Sequence, residues 1–465
     1  MKRNCLAKFL PIIVIISIVF SLAFYVARVE ASVSNQRYNP IMYKNYVMGS
    51  IYDANNEVIA YGSEVGLEQY AEGMKTAFEA LIGLEVDYEI APHYTVKGKY
   101  MHTLYGGNQN RMKLLNPFQK KIGSDMKLTI DVNLQCYVSE MMEEEIFSSS
   151  GCLVMNYKTG EVLCAVGDCF RSRKMIGSTI KPILYAAVLE ENPLLAERNY
   201  ACNGKTHEFN GVYIQCYGNA FHGNVDMEKA LTVSCNGAAV AFSKQIDESV
   251  LHQNLQKFGF DTVLSYPDNY LNFADSSYWG VNSEEADIKL KLMSAIGGGN
   301  CMASPASLAV AYSALFHDGV AVAPYLVSAT SEYHGDELVE LEKNDSVRMC
   351  SSETSNTILD MMISVVEKGT AKGLQMKDVT IAAKTGTANY DSETNVLWLV
   401  AGVLDEKAPY LIVSYADKVP TYLDSGSTLG VTTKQIIEYV LKEGEADEST
   451  ESTSTDDRAE EICTE

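Results

Sequence analysis

The chain has 465 residues, 47% of them hydrophobic and 21% charged, enough for one large or two to three ordinary domains with a sizeable core. Its 60 acidic against 37 basic residues give a formal net charge of -23, which repels phosphate backbones and excludes nucleic acid as a partner class.

Phe9 to Val26 is an uncharged apolar run, at about 18 residues close to the minimum for a helix that spans a bilayer. Lys2, Arg3 and Lys8 precede it, and the positive-inside rule keeps that end in the cytoplasm and sends the remainder across. The small residues of Ala27 to Ser32 suit a cleaved signal, but so long an apolar run exceeds the usual signal core, and the segment reads as an anchor. The expected division is a cytoplasmic stub over residues 1–8, a transmembrane anchor over 9–27, a small non-catalytic N-terminal domain over 28–125, the main domain over 126–442 and an acidic tail over 443–465. The main domain should therefore be extracytoplasmic.

In the N-terminal segment, Tyr70, Ala71, Met74, Ala77, Phe78 and Leu81 predict a helix from Glu68 to Ile82. From Met126 a short strand, Lys127 to Asp131, leads into a helix from Val132 with Leu134, Tyr137, Val138 and Met141 on one face. The apolar runs Cys152 to Asn156 and Glu161 to Val166 form a hairpin around Lys158-Thr-Gly160. Ile288 to Ile296 and Ser304 to Phe316 read as helices. Thr380 to Asn389, Val396 to Leu404 and Tyr410 to Ala416 read as strands, and Thr432 to Lys442 as a closing helix. Helices in the middle with strands at both ends predict an α+β domain, an antiparallel sheet flanked by helices in which the first hairpin joins the last strands. The Glu, Asp, Ser and Thr of residues 443–465 cannot bury enough apolar surface to order themselves.

Eleven cysteines are an odd number for an exported chain, Cys5 falls in the stub, and the spacing matches no zinc-binding pattern. Cys202 and Cys216 flank the polar stretch Asn203 to Gln215. Either a local bridge joins them or, in a poorly oxidising setting, both remain buried thiols.

Ser-x-x-Lys occurs twice, at Ser178-Thr-Ile-Lys181 and at Ser124-Asp-Met-Lys127. Ser178 opens an apolar helix, Thr179 to Leu189, which places Ser178 and Lys181 one turn apart on one face. Ser124 precedes a strand, where residues three apart point to opposite faces. A serine hydroxyl needs a base within reach to become a nucleophile, and a lysine amine serves once burial or a neighbouring cation depresses its pKa. The helix N-terminus adds backbone N–H groups suited to a developing oxyanion. Lys-Thr-Gly also occurs twice. In Lys158-Thr-Gly160 the glycine has a turn to make, whereas Gly386 of Lys384-Thr-Gly-Thr387 sits inside a strand, where glycine marks close approach by a ligand or another backbone. Between Ser178 and Lys384 lies Ser234-Cys-Asn236, after a helix ending near Leu231.

The order Ser-x-x-Lys, Ser-x-Asn, Lys-Thr-Gly is that of penicillin-binding proteins and related β-lactamases. Over Met126 to Lys442 the chain resembles class B penicillin-binding proteins, in Gly177-Ser-Thr-Ile-Lys-Pro182, Ser234-Cys-Asn236 and Ala383-Lys-Thr-Gly-Thr-Ala388, and in the landmarks Ala295-Ile-Gly-Gly-Gly299, Ala303-Ser-Pro305 and Ala309-Val-Ala-Tyr312. Gly49-Ser-Ile-Tyr-Asp53 is similar to the family's opening motif but lacks the usual preceding arginine, and residues 55–123 are short for its pedestal domain. Cys235 replaces the usual aspartate of the middle motif; only the residues on either side must aim into a site, so it is expected to be buried.

The resemblance implies a penicillin-binding transpeptidase/β-lactamase-like fold and a serine-type peptidoglycan D,D-transpeptidase. Ser178 would attack the penultimate D-Ala carbonyl of a stem peptide and release the terminal D-Ala; an amine of a neighbouring stem would then resolve the acyl-enzyme. Lys181 would take the Ser178 proton, Ser234 would relay one to the leaving nitrogen, and Asn236 would hold Lys181 and the substrate amide. Lys384, Thr385 and Thr387 would meet the terminal carboxylate, Ser178 and Thr387 N–H groups would form the oxyanion hole, and Gly386 would let the substrate lie along the strand edge. Lys384 would also favour a neutral Lys181 by like charge. The implied partners are stem peptides, β-lactams, the membrane and a cell-wall synthesis complex; no metal or organic cofactor is called for. A D,D-carboxypeptidase and a non-enzymatic cell-wall scaffold or β-lactam-binding protein remain as alternatives. Tyr217-Gly-Asn219 resembles a class D β-lactamase motif but precedes Ser234, the reverse of that family's order.

Overall fold

The computed structural model describes residues 19–23, 46–62, 69–84, 95–106, 121–142, 150–204, 207–262, 277, 279, 288–341 and 346–460. The predicted stub, the predicted anchor apart from residues 19–23, and residues 461–465 of the predicted tail lie outside the described residues. No described helix is long and apolar enough to cross a membrane.

Two sheets organise the chain. Their strands begin with β1 (Ile51–Tyr52), β2 (Val58–Tyr61), β3 (Gln69–Tyr70), β4 (Met126–Leu128), β5 (Ser150–Asn156) and β6 (Val162–Gly167). They continue with β7 (Val327–Thr330), β8 (Val339–Glu340), β9 (Ile381–Asn389), β10 (Thr394–Val403) and β11 (Tyr410–Pro420). The helices that position the site are α1 (Met74–Ile82), α2 (Val132–Met141), α3 (Ile180–Leu189), α4 (Met227–Thr232) and α5 (Asn236–Ser243). After them come α6 (Pro305–Phe316), α7 (Ser352–Lys368) and α8 (Ser425–Glu460).

The five-stranded sheet has the order β9-β10-β11-β5-β6, antiparallel throughout, so the predicted first hairpin does join the last strands. Past Thr394, β10 is buried at every position, because α8 packs against it and α6 and α7 against its neighbours. A strand covered on both faces reads as one apolar run without alternation. Trp398 at its middle is fully buried, and truncating such a side chain to alanine removes about 3–5 kcal/mol.

The six-stranded sheet, β8-β7-β4-β1-β2-β3, takes strands from both sides of the boundary drawn at residue 126. Buried Asp125 fastens the join: its carboxylate accepts the Ser50 N–H at 2.6 Å and the Gly335 N–H at 2.8 Å, and lies 2.6 Å from His334 Nδ1. Two predicted helices change their starts. Gln69 and Tyr70, expected in the Glu68 helix, pair instead with Tyr61 and Ala60, and α1 begins at Met74. The last helix begins at Ser425 rather than Thr432, and its backbone is helical to Glu460, past Lys442 and into the segment expected to lack order. Extending a helix that is already nucleated is far easier than starting one.

Candidate active site

The Gly177-Ser-Thr179 segment is a single 3-10 turn that leads into α3. Its position on β9 depends on two glycines. Gly177 has φ +53, and a Cβ there would stand 2.5 Å from the Thr387 carbonyl oxygen. A Cβ on Gly386 would stand 2.7 Å from the Ile176 carbonyl oxygen and from Thr179 Cγ2. The close approach expected at Gly386 is thus made by the chain's own turn. Three bonds hold that turn from behind: Trp398 Nε1 donates to the Met175 carbonyl at 2.8 Å, Gly177 N to the Gly297 carbonyl at 3.0 Å and the buried Tyr312 hydroxyl to the Thr179 carbonyl at 2.6 Å.

Lys181, in the first turn of α3, and Lys384, on β9, are both fully buried. Lys181 Nζ donates to the Ser234 carbonyl and to Asn236 Oδ1, each at 2.7 Å, and lies 3.1 Å from Ser234 Oγ. Lys384 Nζ donates to the Thr385 carbonyl at 2.8 Å and to the same Ser234 Oγ at 3.1 Å. Ser234, between α4 and α5, has φ +54, a left-handed conformation that aims its hydroxyl between the two amines. Such strain in a non-glycine residue persists only where its surroundings over-determine it. Asn236 is oriented in turn by its amide donating to the Gln215 carbonyl at 2.8 Å.

Burial pulls Lys181 from 10.5 down to about 8. It also pulls Lys384 well below its ordinary value, with the Lys181 charge adding to the effect. The like-charge repulsion expected to neutralise Lys181 therefore bears on Lys384. No hydrogen bond joins Ser178 to Lys181 among the described residues. Catalytic hydrogen bonds are often loose before substrate binds.

Ser178, Ser234, Asn236, Thr385 and Thr387 line one cleft of about 710 Å³. Among the described residues β9 is the edge of its sheet, with no strand paired on its outer side. Two residues that sequence reasoning missed complete the wall: Thr370 Oγ1 lies 2.6 Å from Thr385 Oγ1, and Ser425 Oγ lies 3.0 Å from Thr387 Oγ1. Neither belongs to a motif; the earlier start of α8 is what brings Ser425 in.

The duplicate motifs lie elsewhere. Ser124 is buried and donates to the Glu332 carbonyl at 3.1 Å. Lys158 and Thr159 are exposed on the turn between β5 and β6. Cys202 and Cys216 are unbonded in this structure, with sulfurs 3.8 Å apart. Cys235 is buried as expected; its sulfur accepts the Ala238 N–H at the start of α5 and stands 3.7 Å from Cys216 Sγ.

The arrangement can perform acyl transfer: a hydroxyl at a helix N-terminus, two depressed amines, and a second hydroxyl that bridges them for proton relay. Residues 150–438 match the family model described as penicillin binding protein transpeptidase domain. Among curated relatives, the peptidoglycan D,D-transpeptidase MrdA of Acinetobacter baumannii is 24% identical over 356 residues, covering 67% of this chain and 51% of that protein. Penicillin-binding protein 1A/1B of Bacillus subtilis is 27% identical over 288 residues, covering 58% of this chain and 29% of that protein. The chain thus spans about half or less of the length of these relatives. Among solved structures, penicillin-binding protein A from M. tuberculosis, as a ceftriaxone acyl-enzyme complex, has a TM-score of 0.72 at 18% identity, covering 86% of this chain and 100% of that one. The D,D-transpeptidase domain of a peptidoglycan glycosyltransferase from Eggerthella lenta has a TM-score of 0.70 at 17% identity, covering 86% and 99%. At these identities the structural likeness is one of fold.

Proposed function

We propose that this chain, which belongs to the penicillin binding protein transpeptidase domain family, is a membrane-anchored peptidoglycan D,D-transpeptidase that works through a Ser178 acyl-enzyme. The observation that carries the reading is Ser234 Oγ at 3.1 Å from both Lys181 and Lys384 Nζ, beside a cleft lined by Ser178.

In this reading a stem peptide lies along the free edge of β9 as an added strand. Its terminal carboxylate meets Thr385, Thr387 and Lys384, and its negative charge favours the ammonium form of Lys384. With Lys384 charged, repulsion shifts Lys181 toward the neutral amine that takes the Ser178 proton. Two of the three acceptors around Lys181, the Ser234 carbonyl and Asn236 Oδ1, hold the N–H groups of that amine and leave its lone pair free. Ser178 Oγ bonds to the penultimate D-Ala carbonyl carbon while the Ser178 and Thr387 N–H groups receive the oxyanion. Ser234 passes a proton to the departing D-Ala nitrogen. An amine from a second stem then attacks the ester, Ser178 recovers its proton, and the cross-link forms. β-Lactams enter by the same attack and remain as the acyl-enzyme.

The apolar run Phe9 to Val26 with Lys2, Arg3 and Lys8 before it supports a single-pass anchor and an extracytoplasmic catalytic domain, and the family resemblance alone suggests a cell-wall synthesis complex as partner. The test is product analysis by mass spectrometry after incubation with a stem pentapeptide and an acceptor amine. A cross-linked product is expected; a shortened peptide alone would make water the acceptor and the chain a D,D-carboxypeptidase, and no release of D-Ala would overturn the reading in favour of a non-enzymatic penicillin-binding scaffold.

A further inference from the structure

The geometry points to a structural zinc site of three thiolates and one imidazole, Cys202, Cys216, Cys235 and His222, built beneath the Ser234-Cys-Asn236 loop. The four ligand atoms all lie within 4.8 Å of one another. Cys202 Sγ is 3.8 Å from Cys216 Sγ and 3.4 Å from His222 Nδ1, and Cys216 Sγ is 3.7 Å from Cys235 Sγ. A tetrahedral zinc with bonds of about 2.3 Å to sulfur and about 2.0 Å to nitrogen requires edges of about 3.8 Å between sulfurs and about 3.6 Å from sulfur to nitrogen. Three of the six edges already stand near those lengths, and the other three lie within 4.8 Å.

Packing alone accounts for three thiols in contact, but not for what surrounds them. A donor meets the cluster at Cys235: the Ala238 N–H reaches its Sγ at 3.5 Å. His207 Nε2 is 3.5 Å from Cys202 Sγ, while its Nδ1 is 2.6 Å from the Tyr200 hydroxyl. A Tyr200 hydroxyl that donates to Nδ1 would put the His207 proton on Nε2, facing that sulfur. A backbone N–H aimed at Cys235 Sγ suits a thiolate, and thiolates packed this closely and buried are tolerable only around a cation. The cysteines are 2%, 4% and 0% exposed, whereas His222 is half-buried and lines the cleft with Cys216, which gives the ion an entry path. Each thiol loses its proton as its bond to zinc forms, and no electron changes hands.

The ligands come from the strand Tyr200–Cys202, the turn after Val212–Ile214, the approach to Gly223–Val225 and the start of α5. The ion would therefore pin Cys235 between Ser234 and Asn236, holding the left-handed Ser234 in place. This is independent of the acyl acceptor and of the reaction itself.

The experiment is elemental analysis of the full chain purified without added metal, followed by exchange with cobalt(II). About one zinc per chain is expected, with thiolate-to-cobalt charge-transfer and tetrahedral ligand-field bands after exchange. Cys202→Ser, and separately His222→Ala, should reduce retained zinc at least tenfold after dialysis against a chelator, while far-UV circular dichroism reports whether each variant folds. If both variants fail to fold, the cobalt spectrum of the unmodified chain decides alone. A chain that folds, neither retains zinc nor takes up cobalt, and whose cysteines alkylate as free thiols or map as a Cys202–Cys216 disulfide would overturn the site.

Discussion

Lys384 Nζ donates to Ser234 Oγ at 3.1 Å, a bond between the edge strand of the sheet and the loop joining α4 to α5, 150 residues apart in the chain. Lys181 Nζ lies at the same distance from that oxygen, so one hydroxyl ties α3, the loop and the sheet together. Neither amine reaches solvent. Ser234→Ala should slow acylation by a fluorescent penicillin by about 10²–10⁴-fold, the range of a lost acid–base group. It should lower stability by about 1–3 kcal/mol, because a buried donor loses an acceptor. An unchanged acylation rate would remove Ser234 from the proton path.

Lys181 must be neutral to act as a base, and burial brings it to about 8. The acylation rate should rise with pH through about 8 and then level off, and Lys181→Arg, permanently charged, should abolish it. Stability carries the same sign. Between about 8 and 10.5 the unfolded chain holds a proton that folded Lys181 has lost, so unfolding free energy rises with pH across that window. Lys384, also lowered, acts in the same direction. Urea denaturation at the two ends of the window measures it.

Gly386→Ala places a methyl 2.7 Å from the Ile176 carbonyl oxygen, forcing the Ser178 turn away from β9. The overpacking should cost about 1–3 kcal/mol in a denaturant titration. Acylation should fall by about 10²-fold, because sub-ångström misplacement acts directly on the reacting atoms. A variant that loses stability but acylates normally would show that the turn can shift without consequence.

Tyr312→Phe removes the hydroxyl that donates to the Thr179 carbonyl and leaves that oxygen only its intrahelical partner. A loss of about 1–2 kcal/mol in thermal or chemical unfolding is expected. Acylation should slow while the site of labelling stays the same, since Tyr312 touches the turn and not the cleft.

The antiparallel sheet was legible because its strands are long and buried on both faces, so Val396 to Leu404 and Cys152 to Asn156 stand out as apolar runs. Ser178, Ser234 and Lys384 were legible because their motifs keep fixed spacing on single elements, which separated them from Ser124 and Lys158. What stayed hidden depends on contacts between distant segments. Gln69 and Tyr70 fit a helical spacing equally well, and only pairing with Tyr61 and Ala60 decides against it. Ser425 gives no signal until α8 sets its side chain against Thr387. Cys202, Cys216, His222 and Cys235 come from four separate elements at spacings typical of no zinc motif, and Cys235 read as a passive filler because the residues on either side of it accounted for the motif.

The nucleophile is tested most directly by intact-mass and peptide-mapping spectrometry of the full chain after brief exposure to a penicillin. One added penicilloyl group is expected, mapped to Ser178 and absent from Ser178→Ala. An adduct on another residue, or equal labelling of the two proteins, would contradict it.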